Sequence, residues 1–209
     1  TNAPFEAQYL KLYDVTPPAA PAAPSTPKPY ALGPSATFTW PALVDLDGGI
    51  SGYHVLVGTA PGGSNVFNGI VSGTLVTVTN NLGATLYARV SAINNAGIEG
   101  PFSPVSTGTL LLDPNGDNDH DGMSNTAEDL AGTNPLDGNS MLRILSLADG
   151  NLLTWSSISG KTYRVWATCD LATNFVPISG VVTAAGPTIT YLDTDATNAA
   201  RFYRVNVLP

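Results

Sequence analysis

The stretch LGATLYARVSAINNAG, from Leu82 to Gly97, carries an alternating apolar strand, LYARVSAIN (86–94), between a Gly bend and an Asn-Asn-Ala-Gly turn. A period of two marks a strand with one face on a core. Working outward, the pattern recurs in ATFTW (36–40), GYHVLVGT (52–59) and LVTVT (75–79), each bounded by turn residues. Strands of this length at this spacing predict an antiparallel sandwich, with no long helical period among them. Upstream, six of the 14 residues from 16 to 29 are Pro. Such a run is extended and stiff, and it leads into an edge strand.

These residues resemble a fibronectin type III domain across roughly residues 16–109. The resemblance rests on Pro17-Pro18, on Trp40 in an early strand, and on Tyr53-His54-Val55 after a Ser-Gly bend. It also rests on the run from Leu82 to Gly97, in which the Leu82-to-Tyr87 spacing is one residue shorter than the usual tyrosine corner. The resemblance implies a spacer or adhesion architecture rather than an activity.

Further along, residues 141–209 hold a second set of short strands: LRILSL (142–147), NLLTW (151–155), KTYRVWAT (161–168), NFVPI (174–178), TITYL (188–192) and RFYRVNV (201–207). They predict a smaller sandwich or partial barrel. This stretch is similar to C-terminal modules of large secreted bacterial proteins.

Between the two β-regions lies most of the charge. The chain has 209 residues, 16 acidic and 8 basic, for a net charge of −8. Six of those acids (Asp113, Asp117, Asp119, Asp121, Glu128 and Asp129) fall within 17 residues that contain no Lys or Arg. Elsewhere the balance is only −2. With 43% hydrophobic and 11% charged residues the chain folds rather than staying disordered. The acidity excludes nucleic acid as a partner, since phosphates call for clustered Lys and Arg. No apolar run approaches the length of a membrane span, so no membrane insertion is expected. The start, TNAPFEAQYL, has no signal-peptide pattern, and an exported protein would here be in its mature form. A lone Cys169 cannot form an internal disulfide, so stability outside a cell would come from packing, metal or assembly.

The acidic block has a grammar. Asp117-Asn-Asp119-His-Asp121-Gly122-Met-Ser-Asn125-Thr-Ala-Glu128 satisfies D-x-[DN]-x-[DN]-G-x5-E at every specified position. A hard cation takes six to eight oxygens at about 2.3–2.6 Å, so ligands at loop positions 1, 3 and 5 wrap one side of it. Gly122 allows the reversal, the Met123 carbonyl fills position 7, Asn125 reaches the ion directly or through water, and Glu128 closes as a bidentate ligand. Residues 124–131 suit a two-turn helix, with Gly132 in the left-handed position that ends it. The block resembles thrombospondin type 3 repeats and related calcium loops, which lack the paired helices of a sensor. Asp113 and Asn115 repeat the alternate-oxygen spacing, which leaves room for a second Ca2+. A solvated acidic linker is the competing reading, but it gives no reason for Gly at position 6 together with Glu at 12. Magnesium prefers a tighter octahedron that keeps its waters, so seven offered oxygens favour calcium. Calcium is expected to fix the angle between the two sandwiches, because without it six like charges repel across one connector.

Catalytic constellations find little support. Gly160-Lys161-Thr162 lacks the first glycine of a phosphate loop and reads as a hairpin turn. His54 falls on the solvent side of its strand and His120 at loop position 4, away from the metal. Cys169 has no basic helper beyond Arg164, and Asp45, Asp47, Asp193 and Asp195 sit in turn sequences. No enzyme activity is expected. On the C-terminal strands, Arg164 and Trp166 share one face, as do Phe202 and Arg204. Such a face suits a glycan or protein contact, unless both faces of the strands are buried.

At the N-terminus, Phe5, Ala7, Tyr9, Tyr13 and Val15 line one side of a predicted strand, with Leu10 and Leu12 on the other. A strand apolar on both sides suits insertion beside an exposed edge in a neighbouring subunit. The fold class expected is all-β: two antiparallel β-sandwich modules joined by a calcium-binding loop with a short helix. Its parts are an N-terminal strand (1–15), a fibronectin type III-like sandwich (16–110), the calcium linker (111–140) and a C-terminal module (141–209). Two functions follow. One is a non-catalytic subunit of an extracellular or cell-surface filament, self-associating through Phe5, Tyr9, Leu10, Leu12 and Tyr13. The other is an accessory module of a secreted bacterial enzyme or adhesin that binds polysaccharide through Arg164, Trp166, Phe202 and Arg204.

Overall fold

The computed structural model describes residues 14–46, 48–148, 151–196 and 200–209. Among the described residues the structure is nearly all β with one short helix, and the chain divides into two compact units between Leu112 and Asp113. The predicted N-terminal strand, up to Tyr13, and the turn residue Asp47 lie outside the described residues.

The first unit holds β1 (Tyr30–Leu32), β2 (Ser35–Thr39), β3 (Ile50–Gly58), β4 (Phe67–Val71), β5 (Leu75–Thr79), β6 (Thr85–Asn94) and β7 (Thr109–Leu112). They form a five-stranded sheet, β1-β7-β6-β3-β4, and a two-stranded sheet, β2-β5. The alternation in the sequence sets the two inner faces. Ala36, Phe38, Val76 and Val78 come from the small sheet, and Tyr53, Val55, Val57, Leu86, Ala88, Val90 and Ala92 from the large one; all are buried. Trp40 closes the core edge-on to Tyr53, with ring centroids 5.6 Å apart. The Tyr53 hydroxyl accepts the Leu43 N–H at 2.9 Å, so the buried phenol keeps a partner. The short Leu82-to-Tyr87 spacing has a visible consequence. Leu86 is fully buried while Tyr87 is half-buried on the other face, because a one-residue offset in a strand exchanges faces.

The second unit begins with the acidic loop and α1 (Asn125–Ala131). It continues through β8 (Ile144–Ala148), β9 (Leu152–Ser156), β10 (Thr162–Thr168), β11 (Val176–Pro177), β12 (Val182–Thr183), β13 (Thr188–Leu192) and β14 (Phe202–Leu208). One sheet runs β13-β9-β8; in the other, β10 pairs with β11, β12 and β14. Leu153, Trp155, Tyr163 and Val165 make the core, and Trp155 meets Tyr163 edge-on at 6.2 Å. Here the expected hairpin at Gly160-Lys161-Thr162 is corrected. β9 and β10 belong to different sheets, so this turn carries the chain across the core, and Gly160 donates to Ala184 O at 2.9 Å instead of closing a two-strand ladder.

Candidate metal centre

The loop from Asp113 to Ser124 is shaped by its own carboxylates. Asp117 Oδ2 accepts the Gly122 N–H at 3.0 Å, Asp119 Oδ1 that of Asp121 at 3.3 Å, and Asp121 Oδ1 that of Met123 at 2.7 Å. Each carboxylate thus commits one oxygen to the turn and has one left over. Gly122 has φ 96°, a left-handed conformation that side chains resist. His120 also has positive φ, 63°, and is exposed, as its position in the loop predicts.

The loop then enters α1. The Ser124 hydroxyl accepts the Ala127 N–H at 3.3 Å as N-cap, and Gly132, with φ 81°, ends the helix by donating to Glu128 O at 2.7 Å. α1 puts Glu128 behind the three aspartates with 0% of its surface exposed. The oxygens left over, Asp117 Oδ1, Asp119 Oδ2, Asp121 Oδ2 and Glu128 Oε2, are all buried without a hydrogen-bond partner. Asp117, Asp119 and Asp121 bring ligand oxygens within 4.8 Å of one another. The Glu128 carboxyl is pushed up to about 7, first by burial and then by the Asp119, Asp121 and Asp117 charges, against a hydrogen bond from Thr133. Three gathered aspartate oxygens, with a buried and unpartnered oxygen of Glu128 within reach of their charge, fit a hard divalent cation. They fit little else, because an uncompensated buried carboxylate costs roughly several kcal/mol.

Of the other residues expected as ligands, Asn125 and Asp113 are engaged in the loop's own turns. Asn125 is buried, but its amide is engaged by the backbone: Nδ2 donates to Asp113 O at 2.7 Å, and Oδ1 accepts the Asn118 N–H at 3.2 Å. It locks the loop's entry rather than facing the aspartates. Met123 lies between Asp121 and the helix and is half-buried. Asp113 and Asn115 are exposed, and Asp113 Oδ1 accepts the Asn115 N–H at 3.0 Å in a local turn. Among the described residues no acidic cluster gathers around them.

Arg164, Trp166, Phe202 and Arg204 do share a face. β10 and β14 pair Trp166 with Arg204 and Thr168 with Phe202. The Arg204 guanidinium lies 5.6 Å from the Trp166 ring and 4.9 Å from the ring of Phe175, a residue that sequence reasoning missed. Phe175 is carried there by β11, whose Pro177 pairs with Trp166. Trp166 Nε1 and Arg164 Nε are buried, while the Trp166 and Arg164 side chains are half-buried and Arg204 is exposed, so the stack is only partly closed. Phe202, 38% exposed, and Arg204 are its open part.

Elsewhere, polar clusters read as structure. Ser91 donates to Glu99, whose carboxylate meets His54 Nδ1 at 2.9 Å, while His54 Nε2 meets Asn68 Oδ1 at 2.8 Å. The carboxylate stands between hydroxyl and imidazole, so the imidazole cannot take the serine proton. Asp193, 3% exposed, holds Arg201 Nε at 2.6 Å and the Tyr203 hydroxyl at 3.1 Å. Among the described residues no helix is long and apolar enough to cross a membrane.

No protein-family model matches the sequence, and a comparison with curated proteins finds no match. Solved structures similar to it include fibronectin domains. The FN1–FN3 domains of chicken CNTN1 share 17% identity at a TM-score of 0.40, over 91% of this chain and 62% of that one. A titin module from human cardiac muscle shares 23% at 0.37, over 44% of this chain and 91% of that one. The sixth fibronectin type III domain of human fibronectin type III domain containing protein 3 shares 19% at 0.39, over 50% and 94%. This chain thus spans less than two thirds of the CNTN1 fragment.

Proposed function

We propose that the chain is a non-catalytic extracellular structural subunit, stiffened by one calcium ion in the acidic loop and joined to further copies through its N-terminal strand. The observation that supports the calcium reading is the set of four buried, unpartnered oxygens on Asp117, Asp119, Asp121 and Glu128. Bound there, calcium would supply the positive charge that the three gathered aspartates and the buried Glu128 lack. The loop is knit to the segment after β7: Thr126 N–H and hydroxyl both donate to Pro114 O, at 3.1 and 2.7 Å, and Asn125 N–H donates to Gly116 O at 2.7 Å. Ordering the loop therefore stiffens the chain where the second unit begins. Fibronectin type III-like domains commonly serve as extracellular structural or adhesion modules, in keeping with this role.

Calcium titration followed by calorimetry tests the ion. Extracellular calcium modules bind with Kd of about 10⁻⁴–10⁻³ M. At 100-fold excess over Kd, binding adds about 2.7 kcal/mol, which for a unit of this size raises Tm by roughly 10–20 °C. An unchanged melting temperature at about 100-fold excess over that Kd, roughly 10–100 mM calcium, would sink the reading. Sedimentation of the full chain beside one lacking residues 1–13 tests assembly: the full chain forms large species and the shortened one stays monomeric.

A further inference from the structure

The second sandwich is open along one side. β8 pairs only with β9 among the described residues, and all five of its residues are exposed. Two of them should be covered. Ile144 lies directly opposite Trp155 and Leu147 opposite Leu153, and both partners are buried in the core. Cross-strand partners share a face, so Ile144 and Leu147 point to the core side. Yet they are 44% and 51% exposed. On the facing sheet β14 pairs only with β10 among the described residues, and its inward Tyr203 and Val205 are half-buried. A cavity of about 290 Å³ opens between these edges, lined by Leu142, Arg143, Ile144, Tyr203, Arg204 and Val205.

We propose that this seam, along the free edge of β8, receives the N-terminal strand of a second copy of the chain. The inference rests on the strand-joined assembly proposed above and supplies its acceptor. An extended strand meets both needs of the site: its backbone pairs with β8, and its alternate side chains cover Ile144 and Leu147 and fill the cavity. Residues 5–13 suit it because Phe5, Ala7, Tyr9 and Tyr13 alternate on one side. Leu10 and Leu12, on the other side, match Leu145, an apolar residue 45% exposed at the β8 register shift. Residues 1–13 hold one acid, Glu6, and one base, Lys11, so the fit of this occupant rests on its apolar alternation and not on its charge. The segment has reach: Asp14 is held to Asn94 Nδ2 at 2.6 Å, and a strand of thirteen residues before it would span about 45 Å. Head-to-tail insertion of this kind is heterologous and propagates.

Disulfide trapping tests it in full-length chains carrying Cys169→Ser. One chain carries Leu10→Cys, and a second carries Leu145→Cys or, as control, Ile70→Cys on the edge strand β4. Mixing under mild oxidation is expected to give a dimer-mass species with Leu145→Cys and none with Ile70→Cys. Leu147→Lys, at an exposed position, is expected to abolish that species while leaving the melting curve in place. Trapping at Ile70→Cys instead, with residues 1–13 still required for assembly, overturns the acceptor and spares the strand-joined reading. Assembly that persists without residues 1–13 overturns both. A link that closes only within one chain carrying both cysteines overturns the second copy as donor.

Discussion

Glu128 is the residue on which the loop turns. Its carboxylate is sealed by the fold beside three others, so without a cation the site repels itself. Glu128→Gln removes one of the charges while keeping shape and volume. It is expected to raise the melting temperature of the calcium-free protein by a few degrees, about 1 kcal/mol, and to lower calcium affinity more than tenfold. Calorimetry of both proteins with and without chelator reads the two opposite signs, which loss of packing alone would not produce. His54 and Glu99 make a different kind of statement. The His54 pKa is raised, first by the Asn68 hydrogen bond, and that of Glu99 is lowered, first by Ser91. The His54 contribution is present below its unfolded pKa and fades as pH rises through the raised value. The Glu99 contribution is present above its unfolded pKa and fades as pH falls through the lowered one. Their joint support therefore peaks at mildly acidic pH. Glu99 is 41% exposed, so the effect is below about 1 kcal/mol. Glu99→Gln should lower Tm at pH 8, where the Ser91 bond to the carboxylate remains, and lower it further near pH 5.5, where the His54 pairing adds to it.

At the scale of elements, α1 exists because its two ends are signed. Ser124 caps one end and Gly132 the other, and the helix carries Glu128 to the aspartates. Ser124→Ala should cost about 1 kcal/mol. Gly132→Val should cost more, since φ is 81° and a Cβ would lie 3.1 Å from Lys161 Cε. Both are expected to weaken calcium binding although neither residue offers a carboxylate, and titration calorimetry measures that loss. The C-terminal cap at Gly132, the loop spacing and the inward faces of β2, β3, β5, β9 and β10 were legible in sequence because each is a local pattern, whereas Ser124, counted with the helix in sequence, is its N-cap. β4, with only half-buried and exposed residues in FNGIV, carries no alternation strong enough to read, and its place beside β3 is set by pairing alone. The same holds for the engagement of Asn125. Its loop position suggests a ligand, but the loop's entry folds back and takes both ends of the amide, a contact that ligand spacing does not encode. Phe175 joined the Arg204 stack through β11, a strand of two residues too short to leave a periodic signal.

At the scale of the whole molecule, the division after Leu112 assigns the acidic loop to the second unit. Its bonds run to that unit's own framework: Lys161 Nζ donates to Leu130 O at 2.7 Å, and Thr133 N–H to Glu128 O at 3.0 Å. The first unit has its own core around Phe38, Trp40 and Val55, and the second has its own around Trp155 and Tyr163. Two cores with separate Trp–Tyr contacts are expected to melt as two cooperative transitions. If calcium binds as proposed, in the loop of the second unit, it should move one of them and leave the other fixed. Trp155→Ala identifies which: loss of a buried Trp costs about 3–5 kcal/mol, so the calcium-sensitive transition should fall to lower temperature while the other holds. Differential scanning calorimetry at several calcium concentrations makes the assignment. If both transitions climbed together with calcium, the ion would be coupling the units rather than completing one of them, and its stiffening role would lie across the junction instead of at the start of the second sandwich.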